Sequence, residues 1–70
     1  MSPFEMFRYR LRYLRQSHKM SQLELAKTLG TTQRLISHYE TGKMRPNMNT
    51  MTNLAAVFNV DLDWLCGLKD

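Results

Sequence analysis

The chain has 70 residues, of which 43% are hydrophobic and 23% charged, with a net charge of +4. This length allows one domain, expected over 1–70, and leaves no room for a catalytic cleft between subdomains, while the basic balance is compatible with a polyanionic partner. The single cysteine, Cys66, excludes an internal disulfide, and the arginine-rich first twenty residues exclude a signal peptide or a membrane span.

The first predicted helix spans residues 3–18. Ser2 is expected to cap it, Pro3 occupies its first turn, and Glu5 completes a capping box. Apolar residues follow at spacings of three and four: Phe4, Phe7, Leu11 and Leu14. A basic amphipathic helix lying on a membrane has a similar pattern, but the domain needs this stripe for its core, so we expect no membrane partner.

The second and third predicted helices follow closely. The capping-box pattern recurs at Ser21–Glu24 and predicts a helix over 22–29, which Gly30 ends. A third helix is predicted over 32–41, and Gly42 can adopt the left-handed conformation that terminates it. The connection between the two helices is therefore a tight turn of a few residues.

The last two predicted helices form the C-terminal half. Pro46 forbids helix through the basic connector KMRP, and Asn47 can cap a helix over 48–58. Its apolar residues form the cleanest stripe of the chain: Met51, Leu54, Ala55 and Phe58. Asp61 is expected to cap a short helix over 61–66. No segment alternates with the period of a strand, so the sequence predicts an all-α fold of five helices.

Four motifs in a fixed order carry a family resemblance: SQxELA, LGTTQ, ISxYExGKxRP and VDLDWL. Together they resemble the lambda-repressor-like, or XRE-type, helix-turn-helix family of phage repressors and Cro proteins, over nearly all of residues 11–67. The resemblance implies a helix-turn-helix at about 22–41. It also implies a sequence-specific transcriptional regulator, above all a repressor, that binds double-stranded operator DNA.

One face of the third helix fits the reading of bases. A helix turns about 100° per residue, so four polar residues and Thr41 fall within an arc of about 140°. These four are Gln33, Arg34, Ser37 and His38. Gln33 can form a bidentate pair with adenine and Arg34 with guanine. The resemblance assigns base contacts to all four.

A second set of residues is expected on the DNA phosphates. Gln22 and Thr32 begin helices, where backbone N–H groups favour an anion. By resemblance, the connector after the third helix follows the DNA backbone. The expected phosphate contacts are Gln22, Thr32, Thr41, Lys43, Arg45 and Asn47.

The first helix has a further expected link to the third. Arg15 and Glu40 match a pair that, in the family, ties these helices together beneath the DNA surface. Three other arginines are expected to form a solvated face: Arg8, Arg10 and Arg12. Lys19 stands where the family usually has glycine, which predicts a strained or altered turn.

The resemblance and the size of one helix also predict a homodimer, at least on DNA. One recognition helix touches too few base pairs, whereas two half-sites about one turn apart multiply specificity. Met48 and Leu62 are the candidate interface residues. The expected location is the cytoplasm of a bacterial or phage-infected cell, in association with the nucleoid.

One other functional class is compatible with a small helical domain. A DNA-binding antitoxin or another protein-interaction module of the same fold is the main alternative. An enzyme is not expected, because the sequence offers no paired carboxylates, no nucleophile with a base and no phosphate loop. His18, His38 and Cys66 have no zinc spacing, so we expect no metal, no cofactor and no small-molecule ligand.

Overall fold

Five α-helices and no strands make up the structure, a computed structural model that describes residues 1–70. The helices are α1 Pro3–Ser17, α2 Gln22–Leu29, α3 Gln33–Thr41, α4 Met48–Phe58 and α5 Leu62–Leu65. The prediction of an all-α fold with five helices is confirmed, and each predicted boundary is within one residue. None of the helices combines the length and the apolarity needed to cross a bilayer.

Local capping explains where the first two helices begin. The backbone N–H of Glu5 donates to Ser2 Oγ at 3.2 Å, and that of Glu24 donates to Ser21 Oγ at 3.0 Å. In return, each glutamate accepts a hydrogen bond from the backbone N–H of its serine. These bonds from the serine backbone lower the pKa of both glutamates, because they stabilise the ionised form.

The prediction that the side chain of Asp61 caps α5 was wrong. Asp61 occupies the position before α5, but its carboxylate makes no capping hydrogen bond. Asp61 Oδ2 lies 2.6 Å from Lys69 Nζ instead, and this contact lowers the pKa of the Asp61 carboxyl. A charged ammonium attracts the carboxylate more strongly than a neutral backbone N–H does.

A single core joins all five helices. It contains eleven buried hydrophobic residues: Phe7, Leu11, Leu14, Leu25, Ala26, Ile36, Tyr39, Leu54, Ala55, Phe58 and Leu65. The predicted stripes of α1 and α4 supply six of them, and Phe4 and Met51 of the same stripes pack at the edge of the core. Because Ile36 and Tyr39 fix α3 by its apolar side, the opposite side of α3 faces solvent.

Two arginines of α1 contradict the prediction of a solvated face. Arg8 Nε donates to the backbone oxygen of Glu40 at 3.5 Å, near the end of α3. Arg10 stacks on the ring of Trp64, 4.6 Å from its centroid, and donates to the backbone oxygens of Trp64 and Lys69. Both side chains are partly buried. Their stems lie along neighbouring parts of the fold while their guanidinium groups bond to backbone oxygens distant in the sequence.

The turn between α1 and α2 contains the predicted strain. Lys19 has a φ of +56°, in the left-handed region that glycine adopts freely. Its backbone N–H donates to Gln16 O at 2.9 Å, and the N–H of Met20 donates to Arg15 O at 3.0 Å. These bonds close the end of α1, so the turn keeps its shape although a side chain is present at Lys19.

Candidate nucleic-acid interface

The solvent-facing side of α3 borders an open depression of about 430 Å³. The start of α2 and the segment after α3 complete its walls. Seven polar residues line it and no hydrophobic one does: Gln22, Gln33, Arg34, Ser37, His38, Thr41 and Lys43. We call this surface the polar depression. It unites all four expected base contacts with three of the six expected phosphate contacts.

Most of the side chains in the polar depression have no partner within the chain. Gln33, Arg34 and Lys43 are exposed, while Ser37 and His38 are half-buried. None of these five side chains makes a hydrogen bond or an ion pair, although no buried side-chain polar atom elsewhere in the molecule lacks a partner. Five side chains with unused hydrogen-bonding groups therefore lie next to one another on one surface, which carries the positive charges of Arg34 and Lys43.

Gln22 and Thr41, which also line the depression, are already engaged. Gln22 Nε2 donates to Glu40 Oε1 at 3.1 Å, which leaves the second N–H of the amide for an external acceptor. The hydroxyl of Thr41 donates to the backbone oxygen of Ser37 at 2.9 Å. A phosphate contact from Thr41 through its hydroxyl hydrogen therefore requires this bond to break.

The other three expected phosphate contacts lie outside the polar depression. Thr32 Oγ1 accepts a hydrogen bond from the N–H of Leu35 at 3.2 Å and caps α3. Asn47 Oδ1 accepts from the N–H of Thr50 at 2.8 Å and caps α4. The guanidinium of Arg45 lies over the ring of Phe4, 4.6 Å from its centroid. Each of these side chains keeps unused N–H or O–H groups, but each also has a structural role.

Beneath the depression, Arg15 and Glu40 form the expected contact between α1 and α3. Arg15 Nε lies 2.6 Å from Glu40 Oε2, and Arg15 NH2 lies 3.0 Å from Glu40 Oε1. Arg15 also donates to the backbone oxygen of Met20 at 2.9 Å, and Arg12 Nε approaches Glu40 Oε1 at 3.7 Å. The fully buried carboxylate of Glu40 thus fixes α3 to α1 and to the start of α2.

The two candidate dimer residues differ in exposure. Met48, at the start of α4, is 65% exposed, whereas Leu62 is half-buried against the core. Sequence reasoning missed a second surface, an apolar hollow of about 470 Å³ lined by Tyr13, Leu14, Val60, Asp61, Trp64, Lys69 and Asp70. The exposure of Tyr13, at 63%, was foreseeable from its position opposite the α1 stripe.

Comparison with known proteins identifies similar sequences. A helix-turn-helix family model matches residues 11–65. The HTH-type transcriptional regulator YobD of Bacillus subtilis (strain 168) is 32% identical over 65 residues, which cover 93% of this chain and 58% of YobD. The SPbeta prophage-derived HTH-type transcriptional regulator YonR of the same organism is 38% identical over 60 residues, covering 86% of this chain and 56% of YonR.

A third similar protein, the HTH-type transcriptional regulator YqaE of Bacillus subtilis (strain 168), is 33% identical over 60 residues. That alignment covers 86% of this chain and 52% of YqaE. The chain therefore spans little more than half the length of the curated relatives that it matches. No solved structure matches it significantly.

Proposed function

The chain belongs to the XRE-type, lambda-repressor-like helix-turn-helix family of DNA-binding transcriptional regulators, and from this premise we propose that it represses transcription by binding operator DNA with α3 in the major groove. The observation that carries the proposal is the grouping of five unpartnered polar side chains of α3 and the segment after it in one depression that no hydrophobic residue lines. Major-groove edges supply the acceptors that these donors lack. No enzymatic activity forms part of this function.

The phosphate backbone supplies much of the proposed affinity. Lys43 is exposed and unpaired where it lines the depression, and Gln22, whose amide keeps one N–H after bonding Glu40, lines the same depression. Neutralising phosphates with lysine or arginine releases counterions and makes binding salt-dependent. Lys43 and Gln22 are therefore the principal backbone contacts, with Thr32, Arg45, Asn47 and Thr41 in secondary roles.

The proposed operator is palindromic and the bound form is a homodimer. Helix α3 has nine residues, and only its first two turns present base-reading side chains. A second copy bound about one DNA turn away raises the specificity ratio without any new contact type. Met48 is the better interface candidate because it is exposed, whereas Leu62 is half-buried against the core. The site of action is the bacterial cytoplasm.

The test is selection of bound duplexes from a random DNA pool, followed by titration of the enriched site. We expect a symmetric sequence with two half-sites, and we expect Arg34→Ala to weaken binding at that site. Lys69→Ala is the charge-matched control, because Lys69 lies outside the polar depression and pairs with Asp61. Enrichment of no duplex, or equal losses for the two variants, would refute the proposal.

A protein-interaction module, such as an antitoxin, is the second candidate, and the apolar hollow beside Tyr13 and Trp64 favours it. An exposed apolar surface of this kind is a common site of protein contact. Gel filtration of the protein purified from its natural host discriminates the two functions. A stoichiometric second polypeptide, displaced by Tyr13→Ser but not by Arg34→Ala, would favour the interaction module.

A further inference from the structure

The side chains of the polar depression form two rows along α3. Gln33 and Ser37 are four residues apart, as are Arg34 and His38. The two side chains of each row therefore differ in direction around the helix axis by only about 40°. Adjacent members of the two rows, such as Gln33 and Arg34, are separated by about 100°. The two rows therefore point toward opposite walls of any groove that holds α3.

The surroundings of α3 distinguish the two rows. Glu40 lies seven residues after Gln33, about 20° away around the helix, and its carboxylate accepts from Gln22 at the start of α2. The Gln33 row is therefore on the side of α2. The Arg34 row is on the far side, toward Leu35, which packs against the core.

From this arrangement, and resting on the proposed entry of α3 into the major groove, we propose that Arg34 and His38 read two guanines on the same DNA strand, two base-pair steps apart. Four residues of helix advance by about 6 Å, close to two steps of about 3.4 Å. Gln33 and Ser37 face the complementary strand at the same two levels.

The chemistry of the Arg34 row selects guanine. Arginine has only donors, and guanine presents two acceptors, N7 and O6, in the major groove. The imidazole of His38 offers at least one N–H donor, for which the guanine edge is also favourable because it carries two acceptors and no competing donor. No hydrophobic residue lines the depression, so we expect thymine methyl groups to contribute less to recognition there than the guanine acceptors do.

The experiment uses the duplex enriched from the random pool. Each guanine is replaced in turn by 7-deazaguanine, which keeps Watson–Crick pairing but lacks the N7 acceptor, and each thymine by uracil, which lacks the methyl group. We expect two sensitive guanines per half-site, on one strand and separated by one base pair, each costing about tenfold in Kd. Uracil is expected to change Kd by less than about twofold.

Variants assign the two guanines. In Arg34→Ala the first guanine should become insensitive to the 7-deaza change while the second stays sensitive, and His38→Ala should show the reverse. Lys69→Ala should leave both sensitive. If a duplex is enriched but its 7-deaza pattern is the same in all variants, or if the sensitive guanines are on different strands, this inference fails while the proposed function stands. If no duplex is enriched, the proposed function fails first.

Discussion

Gln22 Nε2 lies 3.1 Å from Glu40 Oε1, so the residue that begins α2 is bonded directly to the buried carboxylate of α3. The same carboxylate accepts two hydrogen bonds from Arg15 of α1. Three helices therefore meet at one side chain beneath the polar depression. Since a carboxylate has room for about four donors, Glu40 can hold Gln22 and Arg15 at once.

Replacement of Glu40 by glutamine is expected to destabilise the fold. The side chain of Arg15 is only 12% exposed, and removal of its charge partner leaves a cation that is poorly solvated. Breaking such a pair costs about 3–5 kcal/mol when it is fully buried, so we expect a loss of about 3 kcal/mol for Glu40→Gln. Urea unfolding followed by circular dichroism measures it.

The control for this change is Glu24→Gln, which alters an exposed glutamate of a capping box. That variant should lose clearly less stability than Glu40→Gln, because the Glu24 side chain is exposed to solvent. Similar losses for the two variants would show that the Glu40 carboxylate has no special role in joining the helices.

Lys19→Gly is expected to stabilise the protein. Lys19 has a φ of +56°, where a side chain costs about 1–2 kcal/mol. Glycine removes this strain, but it also raises the conformational entropy of the unfolded chain, which opposes folding. The expected net gain in the free energy of unfolding is about 0.5–1 kcal/mol. Asn59→Gly is the matched control, because Asn59 has a similar φ of +52° but asparagine tolerates it better. A loss of stability in Lys19→Gly would contradict the interpretation that the backbone of Lys19 is strained.

Two glycines with similar backbone angles should respond differently to alanine. Gly30 has a φ of +72°, and no atom lies within 4 Å of the place that a Cβ would occupy, so Gly30→Ala should cost only the left-handed strain, about 1 kcal/mol. Gly67 has a φ of +80°, but a Cβ there would lie 2.5 Å from the backbone oxygen of Pro3. Backbone cannot shift as easily as a side chain, so Gly67→Ala should cost about 3 kcal/mol or more.

Thermal unfolding of the two alanine variants side by side measures the difference. Equal losses would mean that the turn after α5 does not pack closely against the start of α1. The comparison needs no DNA, so it tests the fold independently of the proposed function.

How much the sequence could predict depended on the distance between the interacting residues. The capping residues, the helix-ending residues and the apolar periodicity are local signals, and together they placed every helix boundary within one residue. The stacking of Arg10 on Trp64 and of Arg45 on Phe4 joins residues far apart in the chain. Such contacts depend on how the helices pack, so the helical pattern around Arg10 indicated only a charged face.

In the candidate site, too, the sequence predicted the features that depend on local helix geometry and missed a feature that depends on side-chain contacts. The 100° rotation per residue predicted that Gln33, Arg34, Ser37 and His38 share a face, since this follows from helix geometry alone. It did not predict that Thr41 uses its hydroxyl hydrogen to bond Ser37. Periodicity gives the direction of a side chain, whereas its hydrogen bonds depend on rotamers and neighbours.

Acid is expected to lower stability through the capping boxes. The serine N–H bonds lower the pKa of Glu24 and Glu5 in the folded state, so their contribution is complete above the pKa of the unfolded chain. It is lost as the pH falls through the lower, folded-state pKa, because the protonated carboxyl is a weaker acceptor. Urea midpoints measured from about pH 6 to about pH 3 should therefore fall. The Glu24→Gln variant, which cannot ionise at that position, should show a shallower decline, and an unchanged decline would remove Glu24 as a contributor.

Lys43→Ala and Arg34→Ala should separate affinity from specificity. Lys43 is unpaired at the rim of the polar depression, and loss of one phosphate contact should weaken binding to all sequences and reduce the slope of log K against log salt by about one. Arg34→Ala should instead cost about 1–3 kcal/mol at the best site and relax preference at one base pair. Titrations of the enriched duplex and of a scrambled one, each at several salt concentrations, measure both effects. Because the two residues carry the same charge and line the same depression, a purely electrostatic surface would give two identical variants, and that result would contradict base reading by α3.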